Sequence, residues 1–232
     1  MKKPLIDKVN KLYLFVICVL FSLSFAACSE SDENEDEYAN WKERNDAYFN
    51  NVYNQAKDAI AKGSAEWKII RNWSLNEDMA SKHDDYIVVQ VIEEGHGSGS
   101  PLYTDSVMVH YRGRYIPTAH YPEGYVFDQS YTGAYEPKLL KPTSFVVNRL
   151  VDGFTTALMN MHIGDRWRVY VPYMLAYGLN DTTTSSGGVK YSYKGSTLLI
   201  FDISLVAYFH PGAEIPSWNS KSSVAFYDEK AY

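Results

Sequence analysis

Apolar and polar positions follow three different rhythms along this chain. The first is continuous: after the basic opening Met1–Lys11, an apolar run extends from Leu12 to Ala27 without a charged residue. The second has helical spacing. Trp41, Tyr48, Val52, Ala56 and Ile60 recur at intervals of four or seven, which places them on one stripe of a helix. Asn40 with Glu43 three residues later predicts a capping box at the start of that helix, and Lys62-Gly63 predicts its stop. The expected helix has about 22 residues and is roughly 33 Å long. Its stripe has to be covered, either by the chain's own domain or, in a homodimer, by the 40–62 helix of a second copy. The first option is the simpler.

The third rhythm has period two and dominates the rest. Glu66–Trp73 reads as a short strand or extended connector, and Tyr86–Ile92 is a β-branched run that ends in the turn Glu93–Pro101. Ser106–Gly113 and Arg166–Val171 alternate strictly, and Leu198–Val206 has the continuous apolar character of a buried strand. One helix-like stretch, Asp152–Met161, precedes a turn at Gly164-Asp165. Antiparallel strands with a single short helix predict an α+β fold, a twisted antiparallel sheet wrapped around that helix and preceded by the amphipathic one. The expected organisation is a helix and connector over 39–85, a main domain over 86–210 and a tail over 211–232. The alternating glycines at 95, 97 and 99 superficially suggest a phosphate loop, but a strand follows them instead of a helix, so no nucleotide cradle is expected.

The N-terminus reads as an address. A basic head, an apolar core and the small pair Ala26-Ala27 describe a secretory signal peptide over residues 1–27. The run Leu12–Ala27 is 16 residues long, short of the ~20 that span a bilayer. Cys28, directly after the small residues, resembles the lipobox cysteine of bacterial lipoproteins, which implies lipidation there and a membrane held through that anchor. Residues 28–38 carry a run of like charge without an apolar core, a solvated and self-repelling tether. An acidic stretch at this place also resembles the surface-export signal of some Bacteroidetes lipoproteins. The expected location is therefore the cell envelope, lipid-anchored, facing either the periplasm or the exterior.

Charge and composition then remove whole classes of function. Net charge is −6, and loss of residues 1–27, with four lysines and Asp7, leaves the remainder more acidic. Without a basic stripe to neutralise phosphates, no nucleic-acid partner is expected. The only cysteines are Cys18 and Cys28, so the chain beyond them can form no disulfide and no thiolate metal site. Six histidines show no i, i+3 or i, i+4 pairing, and neither a metal nor a cofactor is expected. The 20 tyrosines outnumber the 10 phenylalanines and 5 tryptophans, a bias that suits a half-buried sheet or a binding groove.

Five short motifs in fixed order carry a resemblance. They are Val109-His-Tyr-Arg-Gly113; Gly124-Tyr-Val-Phe-Asp-Gln-Ser130; Phe145–Gly164, with Leu150-Val-Asp-Gly-Phe154 inside it; Pro172-Tyr-Met-Leu-Ala-Tyr-Gly178; and Ser196–Ile203. Together, across 86–210, they resemble FKBP-type peptidyl-prolyl isomerases. The resemblance implies an isomerase that assists folding of exported or envelope proteins, with proline-containing polypeptides as substrates. It implies a prolyl pocket of Tyr111, Phe127, Asp128, Phe145, Leu150, Val151, Phe154, Tyr177 and Phe201. In that pattern Phe154 is the floor, and Tyr111, Phe127 and Phe201 are walls. The Val151 N–H and the Tyr177 hydroxyl bond carbonyls of the peptide, and Asp128 sits at the rim. The chain departs from the family in three places. Phe154 stands where the family has Trp, residues 115–122 are an insertion, and the loop 179–195 is long, with Tyr191-Ser-Tyr-Lys-Gly195 in place of Ile-Pro-Pro. A catalytically weak FKBP-fold binding module is the alternative reading.

Overall fold

The computed structural model describes residues 37–186 and 189–215. The leader, Cys28 with its expected lipidation, nearly all of the acidic tether, and the tail from residue 216 lie outside the described residues. By its contacts the chain divides into Met1–Ala39 and Asn40–Tyr232, and every element below belongs to the second unit.

Helix α1 (Trp41–Ala61) forms where helical periodicity predicts it, but its start differs from expectation. Asn40 is left-handed (φ 49, ψ 39) and makes no side-chain cap hydrogen bond. The capping box is therefore not formed; the Asn40 carbonyl instead accepts the Arg44 N–H at 3.0 Å. The buried face is also rotated. It consists of Trp41, Asn45, Phe49, Val52 and Ala56, whereas Tyr48 is half-buried and Ile60 is 41% exposed. A polar residue in the middle of the row 41–45–49 hides that row from a count of apolar positions. The C-terminus closes as expected. Gly63 takes φ +84, its N–H bonds the Ile60 carbonyl and the Ser64 N–H bonds the Ala59 carbonyl, a Schellman arrangement that needs a residue free to be left-handed.

Among the described residues nine strands follow: β1 (Trp67–Arg71), β2 (Tyr86–Glu93), β3 (Ser106–Arg114), β4 (Val126–Gln129), β5 (Thr143–Val146), β6 (Arg166–Val171), β7 (Thr182–Ser186), β8 (Val189–Tyr193) and β9 (Leu199–Phe209). Helix α2 (Asp152–Leu158) lies between β5 and β6. The main sheet is antiparallel in the order β1-β2-β6-β9-β3-β4, with β5 also paired to β3. The Glu93–Pro101 turn docks on the turn before β6, where the Gly95 N–H donates to Asp165 Oδ1 at 2.7 Å and the Gly97 N–H to the Ile163 carbonyl at 3.1 Å.

Paired residues on neighbouring strands point to the same face. Val89, Val169, Phe201 and Gly113 are in register across four strands, as are Trp167, Ile203 and Tyr111. All are buried, and α2 packs on this face. The opposite face carries Val88, Tyr170, Ile200 and an ion cluster in which the Asp202 carboxylate accepts from Arg168 (2.7 and 3.0 Å) and from Arg114. Tyr48 of α1 is half-buried within reach of Arg168, Arg114 and Tyr170. The chain's own domain thus covers the apolar stripe of α1.

Two further boundaries differ from the sequence reading. α2 ends at Leu158, short of Met161, because the N–H groups of Asn160 and Met161 reach the carbonyls three residues back and tighten the chain into a turn. The region after Gly178, read as a long polar loop, instead forms the β7–β8 hairpin, a separate two-stranded sheet.

Candidate active site

Period-two alternation puts Tyr111 and Gly113 of β3 and Phe201 of β9 on the face that α2 covers, and the third position of the α2 first turn brings Phe154 up to them. The Phe154 ring meets Phe201 edge-on at 5.0 Å and Tyr111 at 6.1 Å, and Phe145 of β5 closes the group at 5.5 Å from Tyr111. Phe127 of β4 adds its ring 5.6 Å from Phe201. Gly113 makes this convergence possible, since a Cβ there would lie 2.6 Å from Phe127 Cζ and 2.7 Å from Phe201 Cε1. Tyr111, Phe154 and Phe201 are buried, while Phe127, Asp128, Phe145, Leu150, Val151 and Tyr177 are half-buried. The result is an apolar floor beneath a partly open rim.

Polar groups are few at this site. The Tyr111 hydroxyl donates to Asp128 Oδ2 at 2.9 Å, and the Tyr111 N–H donates to Ser130 Oγ, which ties β4 to β3. Burial, and then the Asp128 carboxylate beside it, hold the Tyr111 phenol well above the ordinary tyrosine range. Tyr177 follows the turn Tyr173–Leu175, pinned where the Gly178 N–H bonds the Tyr173 carbonyl at 2.8 Å. Its phenol is also pushed up, first by burial and then by a hydrogen bond with Tyr193. Both hydroxyls therefore stay protonated and able to donate across the physiological range.

Leu150 and Val151 form the bend between β5 and α2. The Leu150 N–H closes the preceding turn on the Val147 carbonyl, and Val151, extended at φ −65 and ψ 148, caps α2 by accepting from Phe154 and Thr155. Of the residues named from sequence, Tyr111, Phe127, Phe145, Phe154 and Phe201 share one ring network and Asp128 bonds into it. Tyr177 joins through an intermediary.

That intermediary is Tyr193. It is 6% exposed, stacks on Tyr177 at 3.9 Å and 16°, and meets Phe127 edge-on at 5.7 Å. Tyr115, also buried, stacks on Phe127 from the other side at 5.1 Å. Neither was singled out from sequence, yet each had a signal. Tyr115 continues the alternation Tyr111, Gly113, Tyr115, and Tyr193 alternates with Tyr191 in the segment that replaces Ile-Pro-Pro. Among the described residues no three His, Cys, Asp or Glu side chains group as ligands for a metal ion.

Residues 97–206, which contain nearly all of this site, match the family model of FKBP-type peptidyl-prolyl cis-trans isomerases. The likeness to the FKBP family lies in that segment. The chain is 38% identical over 121 residues to a macrophage infectivity potentiator of Trypanosoma cruzi, covering 52% of each protein. It is 35% identical over 133 residues to the outer membrane protein MIP of Legionella longbeachae, covering 53% of this chain and 52% of that one. The chain thus spans about half the length of the curated relatives it matches. A crystal structure of FkpA from Escherichia coli overlaps 84% of this chain and 80% of its own, at 23% identity and a TM-score of 0.41. In the matching segment, Tyr115 and Tyr193, which stack on Phe127 and Tyr177, both come from stretches that depart from the family pattern.

Proposed function

We propose that the FKBP domain is a peptidyl-prolyl cis-trans isomerase that assists the folding of exported or envelope proteins. The observation that carries this reading is the convergence of five aromatic rings on a buried floor, with two protonated phenols and one carboxylate at its edge. Rotation about an Xaa–Pro bond faces a barrier of ~18–20 kcal/mol set by amide resonance and takes roughly tens of seconds unaided. Shortening that to about a millisecond takes ~5.5 kcal/mol. The twisted amide has lost resonance and separates less charge than either planar isomer, so a dry aromatic site disfavours the planar forms relative to the transition state.

In this reading Phe154 is the floor under the proline ring; Tyr111, Phe127 and Phe201 are walls, and Phe145 and Leu150 complete the apolar lining. The Val151 N–H and the Tyr177 hydroxyl donate to peptide carbonyls, and Asp128, held by Tyr111, faces the twisting amide. No nucleophile takes part. The test is a prolyl-isomerisation assay on residues 29–232 with Tyr177→Phe and Asp128→Ala alongside. Wild type is expected to accelerate a Leu-Pro peptide and both variants to lose at least tenfold; a wild-type rate equal to that of a control protein sinks the reading.

One observation favours a second reading, a catalytically weak binding module. Tyr193 already stacks on Tyr177 and hydrogen-bonds to it, so a substrate carbonyl competes for that donor. Tight binding of a proline peptide without acceleration would single this reading out.

We further propose that Cys28 carries a lipid and anchors the protein in the cell envelope; the leader pattern before it supports this. Cys28→Ala is expected to move the protein from the detergent phase to the aqueous phase. Unchanged partitioning would rule the anchor out.

A further inference from the structure

Tyr115 and Tyr193, both from stretches that depart from the family pattern, flank Phe127, and contacts of each stretch lead back to the first turn of α1. Trp41 is 5% exposed, and its ring meets Tyr115 edge-on at 6.2 Å. Tyr115 in turn stacks on Phe127. The Trp41 indole Nε1–H donates to Thr197 Oγ1 at 2.8 Å, and the Thr197 hydroxyl in turn donates to the Lys194 carbonyl at 2.6 Å. Lys194 directly follows Tyr193. One side chain therefore touches the insertion through its ring and the hairpin exit through its N–H.

Its neighbours on the helix reinforce the same loops. The Asn45 carboxamide, 1% exposed, donates to the Trp41 carbonyl at 2.6 Å and accepts the Leu198 N–H at 2.9 Å, which fixes the chain just before β9. The Lys42 ammonium lies 5.5 Å over the ring of Tyr173, whose carbonyl holds the Gly178 N–H behind Tyr177. Apolar burial alone asks for none of these polar contacts. A phenylalanine at position 41 would fill nearly the same space.

We infer that Trp41 is a positioning residue for the prolyl site, holding Tyr115 and the Lys194–Thr197 turn so that Phe127, Tyr193 and Tyr177 form one rim. The inference rests on the isomerase reading for its kinetic consequence, but the geometric claim stands on its own. It makes α1 a working part of the catalytic unit, and the boundary of that unit moves from Tyr86 to Trp41.

The test uses the full chain with Trp41→Phe, Trp41→Ala and, as a control, Val52→Ala, which opens the same buried helix face away from both loops. Hydrogen exchange at the Gly195, Ser196 and Leu198 amides is read first. Trp41→Phe, which keeps the ring and loses the donor, is expected to speed exchange there about fivefold, the equivalent of one hydrogen bond. Trp41→Ala should speed it further, and Val52→Ala should leave those amides in step with the rest of the domain. In the same samples Trp41→Phe is expected to raise KM for a Leu-Pro peptide about fivefold with kcat nearly unchanged, while Val52→Ala leaves KM where it was.

Unchanged exchange in Trp41→Phe overturns the inference whatever the activity. Equal responses of the three amides to Val52→Ala and Trp41→Ala also overturn it, because the helix then acts only through global stability. A wild-type chain that does not isomerise, with the exchange pattern as expected, removes the isomerase reading and leaves the positioning role intact.

Discussion

The floor and the rim of the aromatic site are built differently. The floor Phe154 and its buried walls Tyr111 and Phe201 sit on α2, β3 and β9; ladder hydrogen bonds on both edges of β3 and β9 set the directions of the two walls, and the helix sets that of Phe154. Rim residues Tyr115, Tyr177 and Tyr193 sit on an insertion, a turn and a small separate hairpin. These are held by a few side-chain bonds and by α1. The contrast teaches that the floor draws its rigidity from the fold, whereas the rim must be held by named contacts.

Three measurements would break or sharpen that contrast. The largest effect is expected at the floor. Phe154→Ala removes a ring that is 4% exposed and should cost about 3–5 kcal/mol in denaturant unfolding. A cost under 1 kcal/mol would mean that the floor is not a packed part of the core.

The second measurement probes β3, which carries Tyr111 on one face and His110 on the other. Burial pushes the His110 imidazole down to about 4 from its ordinary 6.5. Between those values the unfolded chain binds the proton that the folded one refuses. Stability is therefore complete above pH 6.5 and falls by about 3 kcal/mol as pH drops towards 4. In His110→Gln, unfolding curves between pH 7 and 4 should lose that component; an identical slope in both proteins would refute it.

The smallest effect on stability is expected at the rim. Tyr193→Phe keeps the ring and its contacts with Phe127 and Tyr177 and should leave the unfolding midpoint in place. By freeing the Tyr177 hydroxyl, Tyr193→Phe should also raise kcat/KM for a proline peptide. A fall in kcat/KM would show that the Tyr193 hydroxyl itself serves the substrate.

The same division governs what was legible in the sequence. Tyr111, Phe127, Phe154 and Phe201 could be read because they lie in the short motifs that resemble the family, and the structure brings their rings together. Tyr115 and Tyr193 alternate with Gly113 and with Tyr191, but they lie outside the matching motifs, in stretches where the family pattern offers no counterpart. Helix α1 was legible as a helix, but its buried row was not, since Asn45 is polar by composition and apolar only in its fully bonded surroundings. The Asn40 capping box failed because the residue types allow it while the left-handed backbone there does not.

The Trp41–Thr197 and Asn45–Leu198 bonds join residues 156 and 153 positions apart. At synthesis rates of about 5–20 residues per second, α1 precedes its partner by on the order of ten seconds. During that interval the Trp41 indole N–H and the Asn45 carboxamide oxygen lack these partners. The strand that brings Phe201 to the site is also the last of the domain to be made, so a nascent chain can hold a helix long before it can complete the aromatic site. A chain stopped before residue 197 would present that helix face to whatever chaperone meets it.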